Sequence, residues 1–592
     1  MPQVGRKKPF SAKQKKQQLK AKREKKRRKS DSSEDDEETF VNQGGDEHCL
    51  IENEQLTAES IMKINYQKKT NPSSNANRYA LHFYRESDTE IEERKSLARL
   101  PIKMVSPDEL EIEEQDIFLP DDELAFPKRP VRDYNLTKDE LDTIEYDYFK
   151  KYLEKLEAQF GSLSKLSYFE MNLETWRQLW RVIEMSDVIL AIADIKHPTY
   201  HFPHSLYNYV VHGLNKEMIL VLNKVDLVEA PLVLAWLHYF KMKYPKLHVI
   251  PFASYAGMKV KERGKHKGRR YGKFKMAAEG SRRLLKVLQD IVGDKVDLTS
   301  WSNKIDDELI SEEKRISELD SDDDGGEEEL SALQNATNIH VDHSDFRYYE
   351  WKKYDSGVLT IGVVGHPNVG KSSLMNAIIG KKVVSVSRTP GHTKHFQTIY
   401  LTDNVKLCDC PGLVFPSRAP KQMQVLMGCF PISQLREPYS VIHFLAARVN
   451  VPKILRLKKI DPESTNQAWS AFDICESWAV LRGYLTAKTG RPDVYRAANH
   501  LLRLTLDGRT LCLIFYPPNY WKECDNFIKD PDVNRIRFIQ FESTGDVNQK
   551  GSEGGDEKGT TDEDSSEETE DGEIRSNLLR TANRFALLDD ED

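Results

Sequence analysis

The chain has 592 residues, of which 31% are charged and 39% are apolar, and its formal net charge is −7. This length accommodates about two or three domains, while the polar composition indicates substantial disordered segments. The sequence has no apolar run long enough to span a bilayer, and its basic N-terminus lacks the apolar core of a secretory signal. We therefore expect no membrane partner. The seven scattered cysteines are typical of reduced thiols in a cytosolic or nuclear protein, and we expect the protein to be monomeric.

The N-terminal region changes the sign of its charge along the chain. Residues 1–29 are dominated by Lys and Arg, a pattern that suits nucleic acid or a nuclear import receptor but also a solvated tail without a partner. The acidic run Ser30–Glu38 follows and contains serines that are candidates for phosphorylation. We expect residues 1–130 to be mostly disordered, first basic and then acidic.

Short apolar runs alternate with helical patterns in the next part of the chain. Val188–Ala193, Met218–Leu222 and Leu247–Phe252 are predicted as buried strands, separated by segments with apolar residues at helical spacing. This alternation predicts a mostly parallel sheet with both faces covered by helices. The fold class is therefore α/β, and the domain is predicted to cover residues 165–417.

The second predicted strand ends in Asn223–Asp226, which matches the guanine-reading Asn-Lys-x-Asp element. The carboxylate of Asp226 can accept hydrogen bonds from the N1–H and 2-amino groups of guanine, an arrangement that adenine does not offer. Asn223 is expected to tie this element to a phosphate-binding loop, and the stem of Lys224 to cover the base. Ala253 and Ser254 follow the third predicted strand and are candidates for the last base-contacting element. The predicted guanine-binding residues are Asn223, Lys224, Val225, Asp226, Ala253 and Ser254.

Residues 259–275 are predicted as a basic loop in which Tyr271 and Phe274 are interleaved with Lys and Arg. Basic residues together with aromatic residues suit single-stranded RNA. A solvated loop is equally consistent with this composition.

Three further segments divide the rest of the chain by composition. Residues 303–345 are acidic and poor in aromatic residues, which predicts a disordered insertion. Residues 418–535 show mixed helical patterns and are predicted to form a second, mainly helical domain. Residues 543–592 are acidic and of low complexity, which predicts a disordered tail.

Gly365–Ser372 has the Gly-x4-Gly-Lys-Ser spacing of a phosphate-binding loop. The strand-like run Val358–Val364 precedes it and the helical pattern Ser373–Ile379 follows it, which is the context this motif requires. Backbone N–H groups of such a loop, and the helix N-terminus, bind phosphate. Lys371 is expected to reach the β- and γ-phosphates, and the Ser372 hydroxyl to bind Mg²⁺. The predicted phosphate-binding residues here are Gly365, His366, Pro367, Asn368, Val369, Gly370, Lys371, Ser372 and Ser373.

A second phosphate element is predicted where another strand ends, after a hairpin that turns at 402–404. Asp409, Cys410, Pro411 and Gly412 match the γ-phosphate-sensing Asp-x-x-Gly element, with Asp409 expected to hold Mg²⁺ through water. Thr393, which precedes the first strand of the hairpin, is predicted as the switch threonine on Mg²⁺. The alternative for that threonine is Thr389. The predicted catalytic residues are Lys371, Thr393 and Gly412.

These elements together predict GTP binding, but their order along the chain is unusual. The guanine element precedes the phosphate loop, whereas the phosphate loop comes first in an ordinary GTPase. Such a permutation can keep the spatial order of the strands, because domain termini often lie close together. The order resembles the circularly permuted GTPase family, and the resemblance covers about residues 165–510. One departure is Asp194-Ile-Lys196, where Asp-Ala-Arg is usual; we expect Asp194 to be structural.

The resemblance implies a circularly permuted P-loop GTPase that acts as a nucleotide-dependent switch in ribosome biogenesis. Slow hydrolysis of GTP to GDP is expected, because Leu413 follows Gly412 where many GTPases place a catalytic glutamine. Related phosphate-loop GTPases place an asparagine at the position of Asn368, which implies that Asn368 helps to hold K⁺ beside the phosphates. The alternative is that Asn368 only shapes the loop.

The expected partners, besides GTP and GDP, are ribosomal RNA or a pre-ribosomal particle, bound through residues 1–29 and 259–275 in the nucleus or nucleolus, with shuttling to the cytoplasm. The alternative is a GTP-gated protein-interaction scaffold in signalling or trafficking with negligible turnover. The two hypotheses differ in the partner, which is an RNA-rich particle for the first and protein alone for the second.

Overall fold

The computed structural model describes residues 57–70, 88–119, 125–131, 136–161, 163, 166–254, 267–318, 341–342, 351–380, 383–384, 397–460, 468–486 and 489–540. Within these ranges, no helix combines the length and the apolar character that crossing a membrane requires.

A seven-stranded sheet runs through the described part of the chain. Its strands are β1 (Val188–Asp194), β2 (Glu217–Asn223), β3 (His248–Phe252), β4 (Val341–Asp342), β5 (Leu359–Gly365), β6 (Gln397–Thr402) and β7 (Val405–Asp409). Their order in the sheet is β3-β2-β1-β5-β7-β6-β4. Strands β3, β2, β1, β5 and β7 are parallel, whereas β6 and β4 are antiparallel to their neighbours. The mostly parallel sheet predicted from the sequence is confirmed.

The sheet register brings the predicted motifs to one edge, although they are far apart in the chain. Asp194 is paired with Asn223 across β1 and β2. Gly365 is paired with a residue of β1, and Asp409 with a residue of β5. Ligands of open parallel sheets bind beyond the carboxyl ends of the strands. The sheet register therefore brings the motifs to one edge despite their order in the chain.

Helices cover both faces of the sheet, and β1 shows why its sequence is apolar throughout. Successive side chains of a strand point to opposite faces, and here Ile189 and Ala191 join one hydrophobic cluster while Leu190 and Ile192 join the other. Both faces are buried, as a parallel sheet requires.

The helices occur in the following order along the chain. They are α1 (Ala58–Thr70), α2 (Asp88–Ala98), α3 (Lys138–Phe160), α4 (Leu173–Met185), α5 (His204–Tyr207, continued by a π-helical turn Asn208–Gly213), α6 (Ala230–Lys243), α7 (Lys267–Val292), α8 (Thr299–Glu318), α9 (Lys371–Ile379), α10 (Lys421–Leu426), α11 (Tyr439–Ala446), α12 (Val451–Ile454), α13 (Ala471–Leu481), α14 (Val494–Asp507), α15 (Tyr520–Lys529) and α16 (Asp532–Ile539).

The N-terminal region differs from the expectation that residues 1–130 are mostly disordered. α1, α2 and much of 101–131 pack into the larger hydrophobic cluster. Phe126 is fully buried, with its ring centroid 6.4 Å from that of Trp176 and 5.6 Å from that of Phe415. The sequence shows no periodicity here because single apolar residues are buried against a distant part of the chain. The prediction of disorder was therefore wrong for these segments; residues 1–56 lie outside the described residues.

Two segments predicted as irregular are helical where the structure describes them. α7 begins at Lys267, so 267–275 belong to a helix and the predicted basic loop 259–275 is wrong for them; 259–266 lie outside the described residues. α8 covers the first part of the predicted insertion 303–345, and Trp301 and Ile305 of α8 are buried in the smaller cluster. The sequence prediction missed these helices because it took the high content of charged residues as a sign of irregular structure. Lys, Arg and Glu are nevertheless good helix formers.

The predicted helical region 418–535 is confirmed as helical, but it does not stand apart from the sheet domain. Its helices contribute to the same hydrophobic cluster as α4 and α6. The ring centroids of Phe527 in α15 and His238 in α6 are 5.6 Å apart. The structure thus joins the two regions in one core, where the sequence predicted two separate domains.

Candidate nucleotide-binding site

The loop between β5 and α9 is shaped by left-handed backbone conformations. Gly370 has φ +99°, and a side chain there would meet the amide group of Asn223. Asn368 is also left-handed, with φ +59°. Left-handed residues allow the tight turn by which a phosphate-binding loop directs its N–H groups at an anion. Ser372 and Ser373, in the first turn of α9, are half-buried.

Lys371 lies inside this loop rather than on the surface. Its Nζ donates hydrogen bonds to the carbonyl oxygens of Gly365 at 3.0 Å and His366 at 2.7 Å. Burial lowers the pKa of Lys371, while the negative charge of Asp409 opposes that shift. The ammonium group is therefore placed between the loop and the end of β7.

Asp409 is fully buried at the end of β7. Among the described residues, neither of its carboxylate oxygens has a hydrogen-bond partner. Burial raises the pKa of Asp409 to about 6, with the charge of Lys371 acting in the opposite direction. Buried carboxylates are normally paired or bind a metal ion, so this pair of oxygens is suited to a hydrated cation.

The residues after Asp409 pack directly on the phosphate loop. The Cys410 N–H donates to the Val363 carbonyl at 3.2 Å, and the Leu413 N–H donates to the Gly365 carbonyl at 3.3 Å. A Cβ at Gly412 would lie 2.9 Å from the backbone of Pro367, which explains the glycine there. The two phosphate elements therefore form one surface.

His366 belongs to the loop through its backbone, since its side chain lies in the interior. Its ring centroid is 5.3 Å from that of His201 and 5.6 Å from that of Phe415. Burial, reinforced by the charge of Lys371, lowers the pKa of His366 to about 3, so the imidazole is neutral. Of the predicted contact between His366 and phosphate, only the part made by the backbone of His366 is compatible with this position of the side chain.

Side-chain hydrogen bonds join the guanine element to the phosphate loop. Asn223 Nδ2 donates to the Val369 carbonyl at 2.8 Å, and Lys224 Nζ donates to the Asn368 carbonyl at 2.8 Å. Ser254 Oγ donates to Asn223 Oδ1 at 2.9 Å. The buried Ala253 precedes Ser254. The structure brings together these predicted residues, which lie on three separate segments of the chain.

Asp226 is half-buried in a short 3₁₀ turn, Val225–Leu227, that follows β2. Gln540 supports this turn, because its Nε2 donates to the carbonyls of Val225 and Val228 at 2.8 Å each. Sequence reasoning missed Gln540, which lies just beyond α16 and belongs to no motif. A contact between residues so far apart leaves no local signal.

Some predicted residues cannot be placed. Thr393, predicted to act in catalysis and to bind Mg²⁺, and its alternative Thr389 lie outside the described residues, as does the basic arm 1–29.

The fold and the site define a class of protein. A mostly parallel sheet carries a phosphate-binding loop after β5, an Asp-x-x-Gly element after β7 and an Asn-Lys-x-Asp element after β2, with the last one earliest in the chain. This is the arrangement of a circularly permuted GTPase.

Comparison with known proteins gives the same class. The family described as "50S ribosome-binding GTPase" matches residues 360–463. Guanine nucleotide-binding protein-like 1 from Mus musculus is 46% identical over 550 residues, which cover 90% of this chain and 89% of that protein. Large subunit GTPase 1 from Schizosaccharomyces pombe is 34% identical over 69% of this chain and 61% of that protein. The solved structure of GNP-bound YlqF from T. maritima covers 58% of this chain and 98% of its own, with 18% identity and a TM-score of 0.31.

The chain belongs to the circularly permuted GTPases, in the family of guanine nucleotide-binding protein-like 1. It is a GTPase that binds GTP and GDP.

Proposed function

We propose that this GTPase is a slow nucleotide-dependent switch in ribosome biogenesis, with its C-terminal helices as the part that responds. The observation that supports a switch is that residues directly following two of those helices contact the nucleotide site. Asn368 Nδ2 in the phosphate loop donates to the Gly428 carbonyl at 2.7 Å. At the other side of the site, Gln540 holds the guanine-reading turn.

The chain also runs directly from the γ-phosphate element into these helices. Gly412 packs against the phosphate loop, and α10 begins at Lys421. A shift of Gly412 on loss of the γ-phosphate would therefore be carried along a short segment to Gly428. In many GTPases the segments that contact the γ-phosphate become ordered or disordered as the nucleotide changes, and this transition acts as the switch.

Mg²⁺ is the cation that we assign to the unpaired carboxylate of Asp409, with the hydroxyl of Ser372 as its second protein ligand. The buried, acceptor-only oxygens of Asp409 fit a hydrated divalent cation. When bound, Mg²⁺ would neutralise charge that develops on the phosphates. The protein's own contribution is the ammonium of Lys371 and the loop N–H groups, which hold the phosphates in place.

Slow intrinsic hydrolysis follows from the residue after Gly412. Leu413 is fully buried and has no group that could orient an attacking water molecule. A K⁺ ion held partly by the side-chain oxygen of Asn368 would add positive charge near the phosphates, while the amide nitrogen of Asn368 donates to Gly428.

The proposed partner is pre-ribosomal RNA or its particle, in the nucleus and near the nucleolus. The matching family and the S. pombe relative carry the ribosome or its large subunit in their names. The basic residues in 1–29 and 259–275 would attract phosphate without sequence preference, and such binding falls steeply with salt. The acidic segments hold serines that are candidates for phosphorylation.

Sedimentation on a gradient, with and without RNase, tests this function. We expect the full chain to migrate with an RNA-rich particle in a GTP-dependent manner and to return to the top after RNase. Deleting residues 1–29 should reduce nuclear accumulation and co-sedimentation while leaving GTP affinity unchanged, which serves as the control for folding. A protein-interaction scaffold would be favoured instead if the full chain stays cytoplasmic, sediments in the same way with and without RNase, and crosslinks to no ribosomal RNA.

A further inference from the structure

Asp194, at the end of β1, is the centre of a buried ionic network beside the nucleotide site. Its side chain is 5% exposed. Oδ2 accepts a hydrogen bond from Lys224 Nζ at 2.7 Å and lies 3.7 Å from Lys196 Nζ, while Oδ1 accepts from the Lys196 N–H at 3.1 Å. The sequence indicated no more than a structural role for this residue.

The network favours the charged forms of Asp194 and Lys196. Burial alone would raise the pKa of Asp194, but Lys196 and Lys224 hold it well below the usual range. Asp194 likewise raises the pKa of Lys196 against the effect of burial. Buried charges are costly unless they are paired, so one carboxylate shared by two ammonium groups is a constrained arrangement.

Lys224 is the member that reaches the phosphate loop. Its ammonium group is held at two points, by Asp194 Oδ2 at 2.7 Å and by the Asn368 carbonyl at 2.8 Å. A lysine side chain has many rotamers and loses considerable entropy when it is fixed. These two contacts stretch its stem between the guanine-reading turn and the phosphate loop, which is where the stem must lie to cover the base.

The network also reaches the C-terminal region through Lys196. The Phe515 N–H donates to the Lys196 carbonyl at 2.8 Å. Gly508, at the end of α14, comes so close that a Cβ there would lie 3.2 Å from Lys196 Nζ and 3.1 Å from the side chain of Leu227. The position of Lys196 is therefore fixed by a second part of the fold.

We propose that Asp194 is a positioning residue for guanine nucleotides, which acts by holding Lys224 over the base. Asp194→Asn preserves the size of the side chain and removes its charge. It should weaken GTP and GDP binding alike, by roughly tenfold, because a hydrogen bond to a charged group is lost. The preference for GTP over xanthosine triphosphate should stay unchanged, because the carboxylate of Asp226 reads the exocyclic group.

The first measurement is nucleotide titration of the full chain with fluorescent GTP and GDP. Asp187→Asn is the matched control: this buried carboxylate lies just before the opposite end of β1 and accepts hydrogen bonds from the N–H groups of Tyr354 at 2.9 Å and Thr360 at 2.8 Å. It contacts neither Lys224 nor Lys196 in the described structure, so it should alter stability at most. Equal loss of affinity in both variants would overturn the proposal.

A double-mutant cycle separates positioning from a general structural effect. Lys224→Met keeps the apolar stem and removes both ammonium contacts. If Asp194 acts through Lys224, Asp194→Asn should weaken binding no further in the Lys224→Met background. If the losses of binding free energy in the two single variants add up in the double variant, the proposal is overturned.

Asp194→Asn leaves the buried Lys196 without a counter-charge, which can impair folding. Asp194→Asn combined with Lys196→Met removes both charges, and it still deprives Lys224 of its anchor. We expect this folded double variant to bind GTP roughly tenfold more weakly than the wild type. Wild-type affinity in the double variant would refute a positioning role for Asp194.

Discussion

The substitution Asp226→Asn tests the selectivity of the site for guanine. The side chain keeps its size and stays in the turn that Gln540 holds through the Val225 and Val228 carbonyls, so the backbone should not move. What changes is the hydrogen-bonding character, because one carboxylate oxygen becomes an NH₂ donor that faces the N–H donors of guanine.

The magnitude follows from the bonds that are lost. A hydrogen bond to a charged group contributes about 1.5–3 kcal/mol, and an unsatisfied donor costs about 1–3 kcal/mol. Because Asp226 is only half-buried, we expect both free-energy contributions to lie toward the lower ends of these ranges. A loss of about 2.5–4 kcal/mol corresponds to GTP binding that is roughly seventyfold to a thousandfold weaker. Xanthosine triphosphate has an exocyclic oxygen that suits an amide donor, so its affinity should rise.

The assay is a titration of wild type and variant with GTP, xanthosine triphosphate and ATP. Asp403→Asn is the control, since Asp403 is exposed in the turn between β6 and β7 and far along the chain from the motif. Comparable binding of ATP and GTP by the wild type would contradict the assignment of Asn223–Asp226. So would an Asp226→Asn variant that keeps its preference for GTP.

Three further outcomes are expected at the phosphate side. Lys371→Ala should abolish GTP turnover, measured as phosphate release, because the phosphates lose their buried ammonium; retained turnover would contradict that role. Leu413→Ala should lower the free energy of unfolding by about 2–5 kcal/mol, as cavity formation does, while hydrolysis stays slow in single-turnover assays; a large loss of rate in the folded variant would assign Leu413 a part in catalysis. GTPase rates should be higher in K⁺ than in Na⁺, and Asn368→Ala should remove the difference. Equal rates in both salts, unchanged by that substitution, would exclude the K⁺ site.

The sequence predicted the sheet and its motifs well because both are local signals. A strand buried on both faces is a continuous apolar run, and β1, β2 and β5 begin and end within about two residues of the runs that predicted them. The motifs needed glycine, lysine and carboxylate at fixed spacing directly after those strands. Their meeting at one edge then follows from parallel strand geometry.

Contacts between distant segments were not predictable in this way. Gln540 reaches the guanine-reading turn, Phe126 packs against Trp176, and Asp194 binds Lys224, yet no periodic or motif-based signal in the sequence connects the two partners of any of these contacts. Which of these residues meet depends on how the layers of helices and sheet pack on each other. No local pattern in the sequence encodes that packing. The departure at Asp194-Ile-Lys196 was visible, but its partner could be identified only once β1 and β2 were seen side by side.

The permutation gives these distant contacts a particular importance. The guanine-reading turn and the phosphate loop belong to chain segments separated by α6, β3, α7, α8 and β4. The bonds from Asn223 and Lys224 to the loop, rather than a short connection, therefore set their distance. Residues next to the C-terminal helices then touch each of the two, through Gln540 just after α16 on one side and Gly428 just after α10 on the other. Because these residues contact both halves of the site, a partner that moved the C-terminal helices would alter base and phosphate binding together. Nucleotide binding and partner binding are then linked in both directions, as reciprocal coupling requires.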